Sequence, residues 1–368
     1  MRKAPPLDKI PLALEKTGFL LEHLVSEEFR KSGWSVIGNR YYVDDVDGKA
    51  RELDLVAYRV TKSDDLDVFT GVLVSCKKDA ENTWAFMSKD KPPHDPNVDW
   101  EPVHYWTDLE PLASFLSSCE WRKDFFHSNA AIHKALFMDT RNVFATQLVS
   151  PDGNAPRNDK PIFESITGLF KALDHELTAL PSRAKGKKRI YLFSLATVVE
   201  APLVDVRYNG KSGKAIEVDH LTHLARYMVR KRELSAHVHI VRSDTIKAFV
   251  GTLSALAEHN SSYMTSLVGK SFKAIRTSQK VRAQLAKMLE FRLRWRLNRI
   301  LQQHGLGQEI SSVSLSYAKD ELSIDIDVDE SSVAALNEDS EARRLSSEIL
   351  KSVARYDGAF HFEIDVPF

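Results

Sequence analysis

Lys49-Ala50-Arg51-Glu52-Leu53-Asp54-Leu55-Val56-Ala57 and, after a polar loop, Gly71-Val72-Leu73-Val74-Ser75-Cys76-Lys77-Lys78 decide how this chain reads. Both segments alternate or run apolar at strand spacing, yet each carries ionisable groups where a buried strand normally has none. Asp54 sits among Leu53, Leu55, Val56 and Ala57, and Lys77 closes a run of Val72, Leu73 and Val74. Charges at the ends of buried strands cost free energy unless they are paired or bind an ion. The two strands are expected to bring a carboxylate and an ammonium together at one sheet edge, beside an upstream helix carrying Glu22. That arrangement suits a divalent cation and a phosphodiester.

Working outward, Leu14, Leu21, Val25 and Phe29, with Leu20 and Leu24, form an apolar stripe that predicts one helix over 12–31, ended by Gly33. Glu22 borders that stripe, and Gly18 one turn earlier would let another backbone approach. Residues 34–43 read as a strand, and Asp47-Gly48 marks a tight turn into the strand 51–58. Asp44, Asp45 and Asp47 lack the spacing of an EF-hand and read as turn residues. Glu52 and Asp54, two apart, share one strand face. A third strand covers 68–76.

In this order and context the residues resemble the restriction-endonuclease-like PD-(D/E)xK nuclease superfamily. The likeness is to bacterial members with a Thr-Gly-x-x-x-Glu helix (here Thr17-Gly18 to Glu22), an Arg-Glu-hydrophobic-Asp strand and a Glu-Cys-Lys strand. It covers about residues 10–90 and extends weakly to about 250. The resemblance implies Asp54 as principal metal ligand, Glu22 as auxiliary ligand and Lys77 as electrostatic catalyst. It also implies Mg2+ as cofactor, with a main-chain carbonyl near Cys76 as a further oxygen donor. One position departs from the pattern: Ser75 stands where the family carries an acid two before the lysine, and Glu52 is the candidate substitute.

Beyond Trp84 the chain reads as irregular, through the proline loop 91–96, followed by helices at about 108–120 and 123–139 and an exposed loop over 151–161. His127 and His133 lack an HExxH context and do not suggest zinc. Residues 162–180 predict an amphipathic helix on which Lys171 reads as solvated. Strands are expected at 190–197 and 203–208, with a turn over 209–214 whose Gly-Lys-Ser lacks the spacing of a phosphate loop. A helix capped by Asp219 and running to about Glu233, a strand 238–241 and a helix 244–256 complete this part. His237 and His239 read as a solvent-facing pair.

The last third changes character. Leu285, Leu289, Leu293 and Leu297 recur every four residues in a long helix pattern over 271–303, with Arg282, Lys287, Arg292, Arg294, Arg296 and Arg299 on its other faces. After it, Leu322, Ile324, Ile326 and Val328 alternate with Ser323, Asp325, Asp327 and Asp329, and Phe360, Phe362 and Ile364 alternate with His361 and Glu363. Together with a helix over about 331–354 these predict a small ββαβ module with one solvated acidic face.

The fold expected is α/β: a restriction-endonuclease-like mixed sheet flanked by helices over 1–258, with a helical insertion at about 108–180. A long basic helical segment over 259–305 and the acidic module 306–368 follow. Lys+Arg and Asp+Glu both number 51, so any basic surface is local. Lys78, Arg183, Lys185, Lys187, Lys188, Arg292 and Arg296 are the candidate nucleic-acid contacts. Cys76 and Cys119 are too few for a disulfide framework or a Cys-rich zinc site. The first residues lack an apolar signal core and no apolar run approaches membrane-spanning length, so a cytoplasmic location without a membrane partner is expected. By resemblance the function expected is Mg2+-dependent hydrolysis of DNA phosphodiesters, in defence against foreign DNA. The alternative, raised by Ser75, is a catalytically silent nuclease fold that binds nucleic acid or a protein partner, the acidic module being a candidate contact.

Overall fold

A computed structural model describes residues 6–44, 48–92, 101–118, 120–138, 141–183 and 188–365. Asp45 and Asp47 of the hairpin tip, Pro93–Pro96 of the proline loop, Cys119, and Lys185, Gly186 and Lys187 lie outside the described residues, as does the chain start Met1–Pro5.

The chain opens with two helices rather than one, α1 (Lys9–Leu14) and α2 (Phe19–Lys31). Thr17 donates its hydroxyl to the Leu14 carbonyl at 2.6 Å and closes off the first helix. The break rotates Leu14, Leu20 and Leu24 into solvent, while Leu21, Val25 and Phe29 stay buried. A Cβ on Gly18 would meet only Glu22 Oε1, at 3.9 Å, so no other backbone makes the close approach expected there.

Next come β1 (Ser35–Val43), β2 (Ala50–Thr61) and β3 (Asp67–Lys78), an antiparallel meander. Strand β4 (Thr83–Asp90) occupies the stretch expected to be irregular. After β5 (His104–Thr107), helices α3 (Glu110–Ser118), α4 (Arg122–His127) and α5 (Ala130–Ile132) run into a π-helical turn, His133–Phe137. Strands β6 (Arg141–Val149) and β7 (Pro156–Arg157), helix α6 (Lys160–Arg183) and strands β8 (Arg189–Glu200), β9 (Leu203–Asn209) and β10 (Ser212–Glu217) follow.

The helix expected from Asp219 to Glu233 is instead β11 (His220–Val229), which turns back into β12 (Arg232–Arg242). Arg230 and Lys231 carry φ of 48° and 63°, a tight turn made without glycine or asparagine. Asp174 on α6 fastens it, 2.9 Å from Arg230 and 3.6 Å from Arg232.

The main sheet has the order β1-β2-β3-β8-β12-β11, with β5 also paired to β8. It is mixed, because β3–β8 and β8–β12 are parallel. Gly71 on β3 lies against Phe193, whose ring atoms would be 2.9 Å from an added Cβ, so β3 and β8 pack closely there. A second sheet runs β10-β9-β4-β6-β7. One face of the main sheet, through Leu55, Val72, Val74 and Val198, packs on α2, α3, α4 and the first part of α7 (Ile246–Thr277). The other face, through Leu53, Val56, Leu73 and Val199, packs on α6 and on Trp84 and Phe86 of the second sheet. Helices on one side and α6 with a second sheet on the other explain why β3 is apolar on both faces.

The long helix pattern of the last third divides at Ser278, whose side chain caps α8 (Gln279–Gln303) by accepting from the Val281 N–H at 3.3 Å. The leucine seam of α8 packs with β13 (Val313–Ala318), β14 (Glu321–Ile326), α9 (Glu330–Glu338), α10 (Ser340–Ala354) and β15 (Phe360–Ile364) in one core. Thus α8 is the central helix of the C-terminal unit rather than a separate segment. The face expected to be solvated and acidic is largely spent on structure. Asp325 is buried beside the Ser314 and Ser316 hydroxyls, at 3.3 and 3.4 Å. Asp327 accepts from the Ser311 and Ser312 N–H groups, and Asp329 and Asp339 cap α9 and α10. Among the described residues no helix is long and apolar enough to cross a membrane.

Candidate functional site

The site is built where β2 leaves its pairing with β3. The register runs Leu55 to Val74, so Asp54 falls opposite the Ser75-Cys76 peptide. Asp54 Oδ2 accepts the Cys76 N–H at 2.6 Å and the Ser75 hydroxyl at 3.3 Å. The hydroxyl therefore occupies part of the space in which the family pattern places a carboxylate. Burial pushes the Asp54 carboxyl above its usual range, with the Cys76 N–H, Lys77 and Ser75 opposing that shift and Glu52 adding to it.

Glu22 comes to the same place from the first turn of α2, held by the buried Leu21, Val25 and Phe29 behind it. Its carboxyl is raised by burial first, then by the charges of Asp54 and Glu52, while Lys77 pulls it down. Glu52 and Lys77 thus lie within electrostatic reach of both Asp54 and Glu22 at one end of the main sheet. Glu52 is also held by Asn39, whose amide donates to it at 2.6 Å. Cys76 points into the core, and burial raises its thiol well above the ordinary value, with Asp54 and Glu22 adding to the effect. Its side chain therefore stays neutral and is no thiolate ligand.

A cleft of about 380 Å³ opens over this end. Glu52, Asp54, Ser75 and Lys77 line it from the sheet, Glu164 and Lys171 from α6, and Asp44 and Arg51 from the hairpin. Lys171 is not solvated as expected. It lies 2.8 Å from the buried carboxylate of Asp44, to which Arg51 adds a contact at 3.4 Å. A second cleft of about 800 Å³ lies on the other side of Lys77, lined also by Lys78, Arg157 and Lys160 and by the acids Asp79 and Glu81. Lys77 is shared by both clefts, so a chain-like ligand crossing from one to the other passes its ammonium.

The other expected contacts divide. Lys78 pairs with Glu200 at 2.6 Å and Arg183, within α6, pairs with Glu176 at 2.9 Å. Lys188 reaches the Asp108 carbonyl at 3.5 Å, and Arg292 pairs with Glu110 at 2.8 Å. Arg296 is exposed on α8. Lys185 and Lys187 lie outside the described residues. Sequence reasoning passed over Glu164, the Lys171–Asp44 pair, and Phe291 and Trp295 of α8, which are 89% and 70% exposed. Two large aromatics four apart on the polar side of an amphipathic helix are a readable signal. The Lys171–Asp44 pair is not, because 127 residues separate its members.

Oxygen donors with a lysine beside them are the chemistry that suits Mg2+. Burial raises Glu22 first, and the repulsion that Asp54 and Glu52 add to it is one that a divalent cation relieves. Mg2+ keeps several waters and needs only one or two protein carboxylates, and Asp54 and Glu22 are the residues that would hold it. Among the described residues no group of three or more His, Cys, Asp or Glu side chains is placed to hold a metal ion. Comparison of the chain with protein-family profiles, with curated proteins and with solved structures gives no match.

Proposed function

We propose that the main sheet is a restriction-endonuclease-like scaffold and that the cleft at its β2–β3 end hydrolyses DNA phosphodiesters with Mg2+. A role in defence against foreign DNA rests on the same resemblance. The observation that carries the reading is the shared position of Lys77. It lines both clefts and lies within electrostatic reach of Asp54 and Glu22. An ammonium fixed there stabilises the charge that develops on a phosphoryl oxygen during attack. Bound Mg2+ would neutralise charge on the scissile phosphate. Arg157 and Lys160, in the second cleft that Lys77 lines, offer positive charge to flanking phosphates.

A catalytically silent reading is favoured by one observation, the saturation of Asp54 Oδ2 by the Ser75 hydroxyl and the Cys76 N–H. The two readings part in a cleavage assay on supercoiled and linear DNA, single-stranded DNA and RNA. The active reading requires Mg2+-dependent cleavage, lost in EDTA and reduced at least a hundredfold in Asp54→Ala and Lys77→Ala. Binding without cleavage by the wild-type protein on every substrate establishes the silent reading.

A further inference from the structure

We infer that the exposed face of α8 is a binding surface for single-stranded nucleic acid, separate from the cleft at Lys77. Lys287, Phe291, Trp295 and Arg299 recur every four residues and form one exposed stripe. Phe291 and Trp295 are among the most exposed large apolar side chains of the protein. Both stand on a helix whose opposite side is fully committed to the C-terminal core through Leu285, Leu289, Leu293 and Leu297. Four residues of helix rise about 6 Å, so the two rings are spaced to receive neighbouring unpaired bases of an extended strand.

Charge selects the occupant. Between 287 and 299 the helix carries Lys287, Arg292, Arg294, Arg296 and Arg299 against the single acid Glu290. Arg292 is taken by Glu110, and Arg294 lies 3.5 Å from Glu290. Arg296 and Arg299 make no ion pair among the described residues, and Asp325, Asp327, Asp329 and Asp339 of the C-terminal unit are occupied by hydroxyls and N–H groups. Among the described residues Lys287, Arg296 and Arg299 of this stripe keep their charge unpaired by any carboxylate. An acidic protein surface matches the cations as well, but a single strand matches both, its bases the rings and its phosphates the cations.

The stripe also has a formed edge. A cleft of about 700 Å³ lies beside Trp295, with Arg299 and Gln302 on its helix wall and Glu309, Ile310 and Ser311 opposite. That second wall is pinned to α8, because Asn298 accepts the Ile310 N–H at 2.8 Å and donates to the Ile310 carbonyl at 3.2 Å. Trp295 therefore borders a fixed groove into which a base or sugar can be placed. Duplex bases already stack on each other and leave these rings without a partner, whereas single strands present free base faces.

This inference shares with the nuclease reading only the class of ligand, and its test keeps the two apart. Binding of a fluorescent oligo(dT) 20-mer to the full-length wild-type protein is measured by anisotropy in EDTA, which removes any metal-dependent cleavage, and is expected to be tighter than binding of a duplex of the same length. Trp295→Ala is expected to weaken binding about tenfold or more, with Trp295→Tyr retaining most of it. Lys287, Arg296 and Arg299 together correspond to a slope of log K against log salt of about −2, and Arg296→Gln with Arg299→Gln removes most of that slope. Phe291→Ser supplies a second readout should Trp295→Ala melt below wild type. Wild-type binding that is absent, or that Trp295→Ala and Phe291→Ser leave unchanged, overturns the inference. Equal affinity for duplex, or loss of a dimer on sedimentation with oligonucleotide binding intact, overturns it too. Failure of cleavage with ring-dependent binding intact defeats only the nuclease reading.

Discussion

Ser75 is the residue on which the chemistry turns. Its hydroxyl, 3.3 Å from Asp54 Oδ2, donates where a second carboxylate would accept or ligate. Ser75 is buried, and Glu22, Glu52, Asp54 and Lys77 are its charged company. Ser75→Glu adds a fourth acid to three that already repel one another. Without metal the variant is expected to lose about 3 kcal/mol of stability, the order of cost for an uncompensated buried charge. With Mg2+ present, the loss is expected to be largely recovered and cleavage to rise above wild type, because the new carboxylate gains the cation as its partner. Asp54→Ala in the same background should remove both effects. Thermal unfolding with and without Mg2+, run beside the cleavage assay, decides the matter. A destabilised Ser75→Glu protein that ignores Mg2+ sinks the nuclease reading.

At the scale of elements, the cleft depends on how α6 is fastened to the β1–β2 hairpin. Asp44 at the end of β1 and Lys171 on α6 are both largely buried and 2.8 Å apart. Lys171→Met leaves Asp44 with Arg51 at 3.4 Å as a poorer partner and is expected to cost about 3 kcal/mol in urea unfolding. Lys171→Met with Asp44→Leu should recover at least half of that, since a hydrophobic pair of similar volume replaces a buried ion pair at little cost. Equal stability of wild type and Lys171→Met would show that the pair does not fasten α6. This pair also marks what was legible. Strands β2 and β3 and helix α2 were readable because their charges stand out against apolar runs of the right period. Lys171 was not, because a lysine on a helix face looks solvated until the remote aspartate is placed beside it. Strand β11 was misread as helix for a local reason. Its turn uses Arg230 and Lys231 at positive φ, where the usual signal is glycine or asparagine, and Asp174 supplies the compensation from another element. Strands β4 and β6 escaped because their partners are each other and β9, none of them adjacent in sequence.

Across the whole molecule, the main sheet is covered on both faces, and that decides what its histidines do. His237 and His239 alternate with Val238 and Ile240, a pattern that suggests one wet face, yet all four are buried. Burial holds His104, His220 and His223 down to about 4 and His237 to about 3, against an ordinary value of 6.5. His239 is pushed in the same direction. Between pH 6.5 and about 4 the unfolded chain therefore binds more protons than the folded one. The stability these neutral rings permit is complete above pH 6.5, falls as pH drops through that window and levels off below the folded values. At pH 5.5 each of the four with a stated value gives up about 1.4 kcal/mol. Asp54, Glu22 and Asp325 act with the opposite sign, since their raised values let the folded protein hold protons that the unfolded chain has released. They return stability as pH falls through their raised folded values, and so oppose the histidine loss. Urea midpoints are expected to fall from pH 7.5 to 5.5. His237→Leu isolates one contribution, because both ring nitrogens of His237 are buried without a hydrogen-bond partner among the described residues. The variant should be as stable as wild type or more so at pH 7.5, and should lose about 1.4 kcal/mol less by pH 5.5. Stability that stays flat over this range in the wild-type protein would mean that water reaches these rings and that the covered sheet is more open than its packing implies.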